Sequence, residues 1–212
     1  MYSNEEIGIV TDPIEIRSYE PATGALLWSA PKGDADTEIA IARAGFGAWA
    51  GRAVANRAET LRRFGNVIRV RHAALTDLLA RETGKPLWAA HEEVDAALAK
   101  VELSIAAYGS RTGAQRFDGN LGVRMAVRHK PHGILGVLGA HSFPLLQPLQ
   151  HILPALIAGN NIVLKPSEKT PLTALATQAL FEKALARFGD APTGLSQLLF
   201  GRREVGEQIA AD

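Results

Sequence analysis

The chain is 212 residues long, with 23 Lys+Arg against 22 Asp+Glu, 47% hydrophobic residues and no cysteine. A formal net charge of +1 supplies no polybasic field for nucleic acid phosphates, and no apolar run approaches the ~20 residues that span a bilayer. Without cysteine there is no disulfide framework, no thiolate zinc site and no thiol nucleophile. The acidic opening, Met1 to Glu6, lacks the basic and apolar segments of a signal peptide. A cytoplasmic globular protein is expected, long enough to bury roughly 70% of its unfolded surface.

Organisation comes from periodicity, because no repeat or low-complexity stretch is present. Ile14-Glu15-Ile16-Arg17 alternates like an edge strand, and Pro21-Ala22-Thr23-Gly24 marks a turn before Leu26-Leu27-Trp28. Ile39, Ala42, Phe46 and Trp49 then mark a helix behind an N-cap at Asp34 or Asp36. Leu61, Phe64, Ile68, Leu75 and Leu78 predict one long helix, closed at Thr83-Gly84-Lys85-Pro86. Val94, Leu98, Val101, Ile105 and Tyr108 predict a third. Apolar stripes at this spacing are core, so all three helices read as scaffold.

From Arg111 to Asn120 the chain is polar, and Val123, Met125 and Val127 then alternate with polar or small residues, as in one arm of a half-exposed ribbon. From Gly133 strand and helix alternate. Ile134 to Leu138 reads as a strand, and Leu146 to Leu156 as an apolar helix that Pro154 bends or ends. Ile162 to Leu164 reads as a second buried strand, followed by a helix with Thr170 at its N-cap and Pro171 at N1. Gln197 to Phe200 and Glu204 to Ala211 complete the pattern. The fold class is α/β, with a parallel wound sheet in the final third. The boundaries read as 1–110 for N-terminal strands and helices, 111–130 for the ribbon and 131–212 for the wound unit.

Ligands of open parallel sheets sit beyond the carboxyl ends of the strands. Lys165-Pro166-Ser167-Glu168 follows the second strand, roughly 25–30 residues after the first strand ends, within a βαβ span. A glutamate there can accept from both ribose hydroxyls of a dinucleotide, and a lysine beside it can donate to ribose or phosphate. A merely charged loop is the competing reading, and no G-x-G-x-x-G follows Leu138: the segment is Gly139-Ala140-His141-Ser142-Phe143-Pro144. Other clusters are weaker. His129 and His132 lack a third metal ligand, Glu92-Glu93 with Asp95 reads as a solvated helix face, and no G-x-S-x-G offers a serine nucleophile. No metal site is expected.

The stretch Gly133 to Pro171 resembles the aldehyde dehydrogenase superfamily, with its Phe-Pro segment after the first strand, Pro-Ala-Leu-x-x-Gly-Asn and Lys-Pro-Ser-Glu. Pro21-Ala22-Thr23-Gly24, Glu82-Thr83-Gly84-Lys85-Pro86 and Gly201-Arg202-Arg203-Glu204-Val205-Gly206 agree with that family in order and spacing. The wording around Pro131 to Pro171 is nearest its succinylglutamate-semialdehyde branch. The resemblance runs through the whole chain but reaches only the front half of the family's subunit. It implies a Rossmann-like cofactor domain binding NAD, with NADP as the alternative. Lys165 and Glu168 would hold the adenosine ribose, Ser167 would line that pocket, and Gly139, His141 and Gly206 would run along the dinucleotide. It also implies a ribbon used in homo-oligomer contacts, and oxidation of an aldehyde, among them semialdehydes, to a carboxylate.

Three departures qualify this. The family's nucleophilic cysteine and base glutamate belong to a part of the subunit that this chain does not match, and a serine hydroxyl is a far weaker nucleophile than a thiolate. Ser142 stands where the family places its oxyanion-donating asparagine, and losing one such donor typically costs about 10²–10³ in rate. Arg202 replaces a customary glycine. The expectation is therefore a truncated or split aldehyde dehydrogenase-like protein, inactive alone, whose open sheet edge and apolar Leu146–Leu156 helix drive self-association or docking on a second chain supplying the catalytic half. The alternative is a non-catalytic nucleotide-binding or structural module of the same fold.

Overall fold

A computed structural model describes residues 15–113, 115–118, 123–186 and 192–212. Ile14, the acidic opening and Gly119-Asn120 lie outside them. Strands β1 (Glu15–Tyr19) and β2 (Leu26–Pro31) form an antiparallel pair around the Pro21–Gly24 turn. Helices α1 (Ala35–Ala50), α2 (Val54–Val70), α3 (His72–Thr83) and α4 (Leu87–Arg111) follow. Strands β3 (Gln115–Asp118) and β4 (Arg124–Val127) pair antiparallel as the ribbon, with Phe117 opposite Met125. The wound unit is β5 (Ile134–Leu138), α5 (Leu146–Ala158), β6 (Asn161–Lys165), α6 (Pro171–Ala186), β7 (Ser196–Leu198) and α7 (Arg203–Ala211), with parallel strands in the order β5-β6-β7.

The period of two along β6 sends its side chains to two cores. Ile162 and Leu164 enter the large cluster built with Val137, α2, α4, α5 and α6, whereas Val163 meets Ile39, Ala42, Leu199 and Val205 beneath α1 and α7. Every residue of β6 is buried, as a central parallel strand covered by helices on both faces requires. On the α7 face, a Cβ at Gly136 would lie 2.5 Å from Ile209 Cγ2, so the missing side chain sets how closely α7 approaches β5.

Four expectations need correction. The long helix through Leu61 and Leu78 is two helices, broken at Arg71 (φ −103°, ψ 13°). Neither glycine nor proline marks the break. Beyond it Leu75 and Leu79 are buried and Leu78 is only half-buried. The α6 N-terminus is received by Glu82 rather than Thr170, whose buried hydroxyl has no partner among the described residues. The Glu92-Glu93 face is not simply solvated: Glu93 is buried. The last strand spans Ser196–Leu198, one residue ahead of the expected start.

Helix α5 is less isolated than its composition suggested. Leu149, Ile152, Leu153, Leu156 and Ile157 are covered by elements of the same chain, and Gln150, His151 and Pro154 take the solvent side. It passes through Pro154 to Ala158 and closes at Gly159 in the left-handed region, φ 96°. Its final carbonyls are received by buried donors from other elements, Trp49 Nε1 to Leu156 O at 2.9 Å and Arg57 Nε to Ile157 O at 3.0 Å. No described helix is long and apolar enough to cross a membrane.

Candidate functional site

The carboxyl ends of β5 and β6 bring together residues far apart in sequence. Gly139 continues β5, and its N–H donates to Lys165 O at 2.8 Å, tying the two strand ends. A Cβ at Gly139 would stand 3.2 Å from Pro166 Cα and 3.4 Å from Pro148 Cγ, closer than ordinary packing allows. A side chain there would push on backbone, so glycine keeps this strand end flush.

Lys165 is the buried cation of this edge, 7% exposed. Its Nζ donates to Pro166 O at 3.1 Å and lies 3.9 Å from Glu168 Oε2. Its stem lies beside Gly206 on α7 and Leu138 on β5: a Cβ at Gly206 would meet Lys165 Cδ at 3.6 Å and Leu138 Cδ2 at 3.9 Å. Burial lowers the Lys165 pKa, opposed by the charges of Glu168 and then Glu204. An ammonium has three donors, and among the described residues one acceptor, Pro166 O, is within hydrogen-bond distance. Glu168 is exposed beside it, and Ser167 Oγ accepts from Lys169 N at 3.2 Å. Lys165, Glu168, Gly139 and Gly206 therefore share one crevice edge.

His141 and Ser142 are exposed in the loop from β5 to α5. That loop is held from below by an ion pair whose role was not legible in the sequence. Lys85 Nζ pairs with Glu93 Oε2 and donates to Ser142 O at 3.0 Å, while lying 4.7 Å from the Phe143 ring centroid. Glu93 Oε1 accepts from Leu145 N and Leu146 N at 2.9 and 3.0 Å. This carboxylate replaces an N-cap side chain, because Leu145 has none to offer. It also explains the missing glycine fingerprint in physical terms: two amides at the start of α5 are already engaged, so they are not presented to a pyrophosphate. The signals that could have found this are Lys85 and Glu93 themselves, eight residues apart across a predicted helix start.

Arg202 is the N-cap residue of α7 and is half-buried, in extended backbone (φ −93°, ψ −154°). His129 and His132 are both exposed; they do not belong to the one His/Asp/Glu grouping with metal-ligand spacing among the described residues, which joins His72, His91 and Asp95.

Comparison with known proteins gives this geometry a context. The aldehyde dehydrogenase family model matches residues 10–212. A curated N-succinylglutamate 5-semialdehyde dehydrogenase from Sphingopyxis alaskensis is 46% identical over 197 residues, covering 93% of this chain and 40% of that protein. Among solved structures, a glyceraldehyde-3-phosphate dehydrogenase from Methanocaldococcus jannaschii in complex with NADP superposes with a TM-score of 0.86 at 25% identity, covering 94% of this chain and 44% of that one. A betaine aldehyde dehydrogenase from Staphylococcus aureus in complex with NAD+ gives 0.85, also at 25% identity, covering 92% and 40%. The chain thus spans about 40% of the length of the curated relatives it matches. With a wound sheet, a turn after β5 that lacks the G-x-G-x-x-G pattern, and a family match through nearly all of its length, this chain belongs to the aldehyde dehydrogenase family.

Proposed function

We propose that this chain forms the nicotinamide dinucleotide-binding part of an NAD(P)-dependent aldehyde dehydrogenase. The observation that carries the reading is Lys165, a buried ammonium at the carboxyl end of the central strand with donors to spare, 3.9 Å from an exposed carboxylate. The residues fit a dinucleotide. Lys165 would donate to a ribose hydroxyl, Glu168 would accept from the adjacent hydroxyls, and Ser167 would line the same edge. Gly139 and Gly206 would leave room for the cofactor backbone, with His141 further along it. The charge on Glu168 repels a 2′-phosphate, which favours NAD over NADP.

When bound, the nicotinamide supplies a hydride acceptor for oxidation of the aldehyde to a carboxylate. The residues of this chain bind and orient. Lys85 and Glu93 hold the loop ahead of α5 through Ser142 O and the Leu145 and Leu146 amides, and Ser142 would stand in for the family's oxyanion-donating asparagine. The chain contains no cysteine, so the thiolate nucleophile and the base that activates water would come from the part of the family's subunit that these residues do not span. The curated relatives named as N-succinylglutamate 5-semialdehyde dehydrogenases make an acidic semialdehyde the substrate class to test first. The exposed ribbon, carrying Phe117, Val123 and Met125, would serve as the contact with another copy.

Ser142, at the position of the family's oxyanion-donating asparagine, favours a second reading, a non-catalytic nucleotide-binding or structural module. Titration of the chain with NAD+ and NADP+ by calorimetry separates the two from a false assignment. Saturable NAD+ binding, weakened about ten- to a hundredfold in Lys165→Met, is expected; flat titrations with both dinucleotides would overturn the site. Native mass spectrometry of the chain isolated from its own cells then decides catalysis. A cysteine-bearing partner with aldehyde-dependent NADH formation supports the split enzyme, whereas a partner-free chain supports the module.

A further inference from the structure

Helices α3 and α4 form a hairpin through Gly84, whose φ of 73° closes α3. In this hairpin the first residue of α3 comes alongside the second and third turns of α4, where His91 and Asp95 stand. His72 is that first residue, and His91 and Asp95 share one face of α4 by their i, i+4 spacing. His72 Nε2 lies 3.1 Å from Asp95 Oδ1, and His91 Nδ1 lies 3.2 Å from Asp95 Oδ2. The two imidazole rings are 4.4 Å apart between centroids, tilted by 54°. One ligand atom from each of the three residues lies within 4.8 Å of the others.

We propose that His72, His91 and Asp95 bind a borderline divalent transition ion of the Zn2+ class. Four-coordinate zinc with ligands at about 2.0–2.1 Å sets them roughly 3.3 Å apart; each imidazole already lies near that distance from one of the two Asp95 oxygens, and small side-chain rotations would bring one oxygen to both. Two imidazoles and one carboxylate select such ions over Mg2+ or Ca2+, which prefer all-oxygen shells. The atoms around His72 suit ligation. Thr76 Oγ1 lies 3.3 Å from His72 Nδ1, and a hydroxyl can donate or accept. Without an ion, Nε2–H can donate to Asp95 Oδ1; with the proton moved to Nδ1 and donated to Thr76, the Nε2 lone pair is free for an ion, with no net proton loss from a neutral ring.

The remaining coordination positions would face solvent. Both His91 and Asp95 have about 59% of the side chain exposed, and the groove beside them is lined also by Asp77, Trp88 and Glu92. The two added carboxylates raise the local concentration of cations. The ion would cross-link two helices that the three residues Gly84-Lys85-Pro86 join covalently at one end, so it is a fastener for this hairpin. None of this depends on the reading of the Lys165 crevice.

The test is calorimetric titration of the untagged chain with Zn2+, paired with Co2+ titration read by visible absorption. One saturable equivalent is expected, with the stronger d–d bands of a four- or five-coordinate cobalt site. His72→Gln and Asp95→Asn should each weaken uptake at least tenfold and abolish the Zn2+-dependent rise in melting temperature. The double variant His129→Gln/His132→Gln should bind as the parent does. In the wild-type imidazole NMR spectrum, Zn2+ should move the signals of two of the six histidines. Absent saturable uptake, uptake unchanged in His72→Gln, or loss confined to the His129/His132 variant would overturn the site.

Discussion

Glu82 Oε2 accepts both the backbone N–H and the hydroxyl of Thr173, at 2.7 and 2.6 Å, across 91 residues of sequence. Its Oε1 accepts from Leu172 N and from Ser18 Oγ, each at 2.7 Å. A carboxylate on α3 thereby ties β1 to the N-terminus of α6, where negative charge is favourable to the helix dipole. Glu93 on α4 does the same for α5. Two helices of the wound unit are capped by two helices that precede it.

Replacing Glu82 by Ala leaves two amides and two hydroxyls, those of Thr173 and Ser18, without their acceptor. A loss of about 2–4 kcal/mol is expected, read as a lower urea midpoint with little change in the slope. Glu82→Gln keeps an acceptor and should cost less. Equal stability of the alanine variant and the parent would refute the capping role.

The β-hairpin, the helical stripes and the wound alternation were legible because they are local. Periodicity and turn residues such as Pro21-Ala22-Thr23-Gly24 report directly on backbone geometry. The position of Lys165 and Glu168 at the carboxyl end of a parallel strand was legible too, since a strand end in a βαβ unit is itself a local pattern. Glu82 and Glu93 were not, because a charged residue on a helix reads as solvent-facing until its long-range partners are in place. The break at Arg71 was hidden because no glycine or proline announces it and the apolar stripe runs on through Leu75.

Lys85→Met removes the cation from a buried pair and leaves Glu93 charged and half-satisfied. A cost of about 3 kcal/mol is expected. The loop it anchors should also loosen, so the amides of Leu145 and Leu146 should exchange with deuterium faster than the rest of α5. Unchanged exchange there would mean that Lys85 does not hold the Ser142 segment.

Gly139→Ala and Gly206→Ala should separate cleanly. The first sets a methyl against Pro166 Cα at 3.2 Å and should shift the strand end, costing about 1–3 kcal/mol and weakening NAD+ binding. At Gly206 the nearest atoms are at 3.6 Å or beyond, and helix propensity favours alanine by about 0.8–1.0 kcal/mol. A melting temperature that is lower for the first and equal or higher for the second is the expected pair of results.

Lys165 carries a pH signature. Burial lowers its folded pKa, so between that value and the unfolded one the unfolded chain binds more protons, and stability rises with pH through the window. Below the folded pKa the charged, buried form is destabilising. Lys165→Met should therefore be stabilised relative to the parent at neutral pH, with the difference shrinking towards the pKa of an unfolded lysine, about 10.4. Paired urea titrations from pH 7 to pH 10 measure it. A difference that stays constant would show that the ammonium is not penalised.

Phe117 and Met125 face each other across the exposed ribbon. Met125→Asp should leave melting unchanged within about 0.5 kcal/mol while shifting light-scattering mass downward, if the ribbon is a contact between copies. Unaltered mass for an associating parent would place the contact elsewhere.

The order in which the chain leaves the ribosome gives the two capping glutamates a further meaning. Glu82 and Glu93 are synthesised before α5 and α6, so each later helix emerges to find its acceptor already in place. The long sequence separations, 91 residues for Thr173 and 52 for Leu145, make these contacts slow to close in refolding from denaturant. The wound unit expressed from residue 131 onward would start both helices uncapped, and should refold efficiently only when residues 15–111 are supplied.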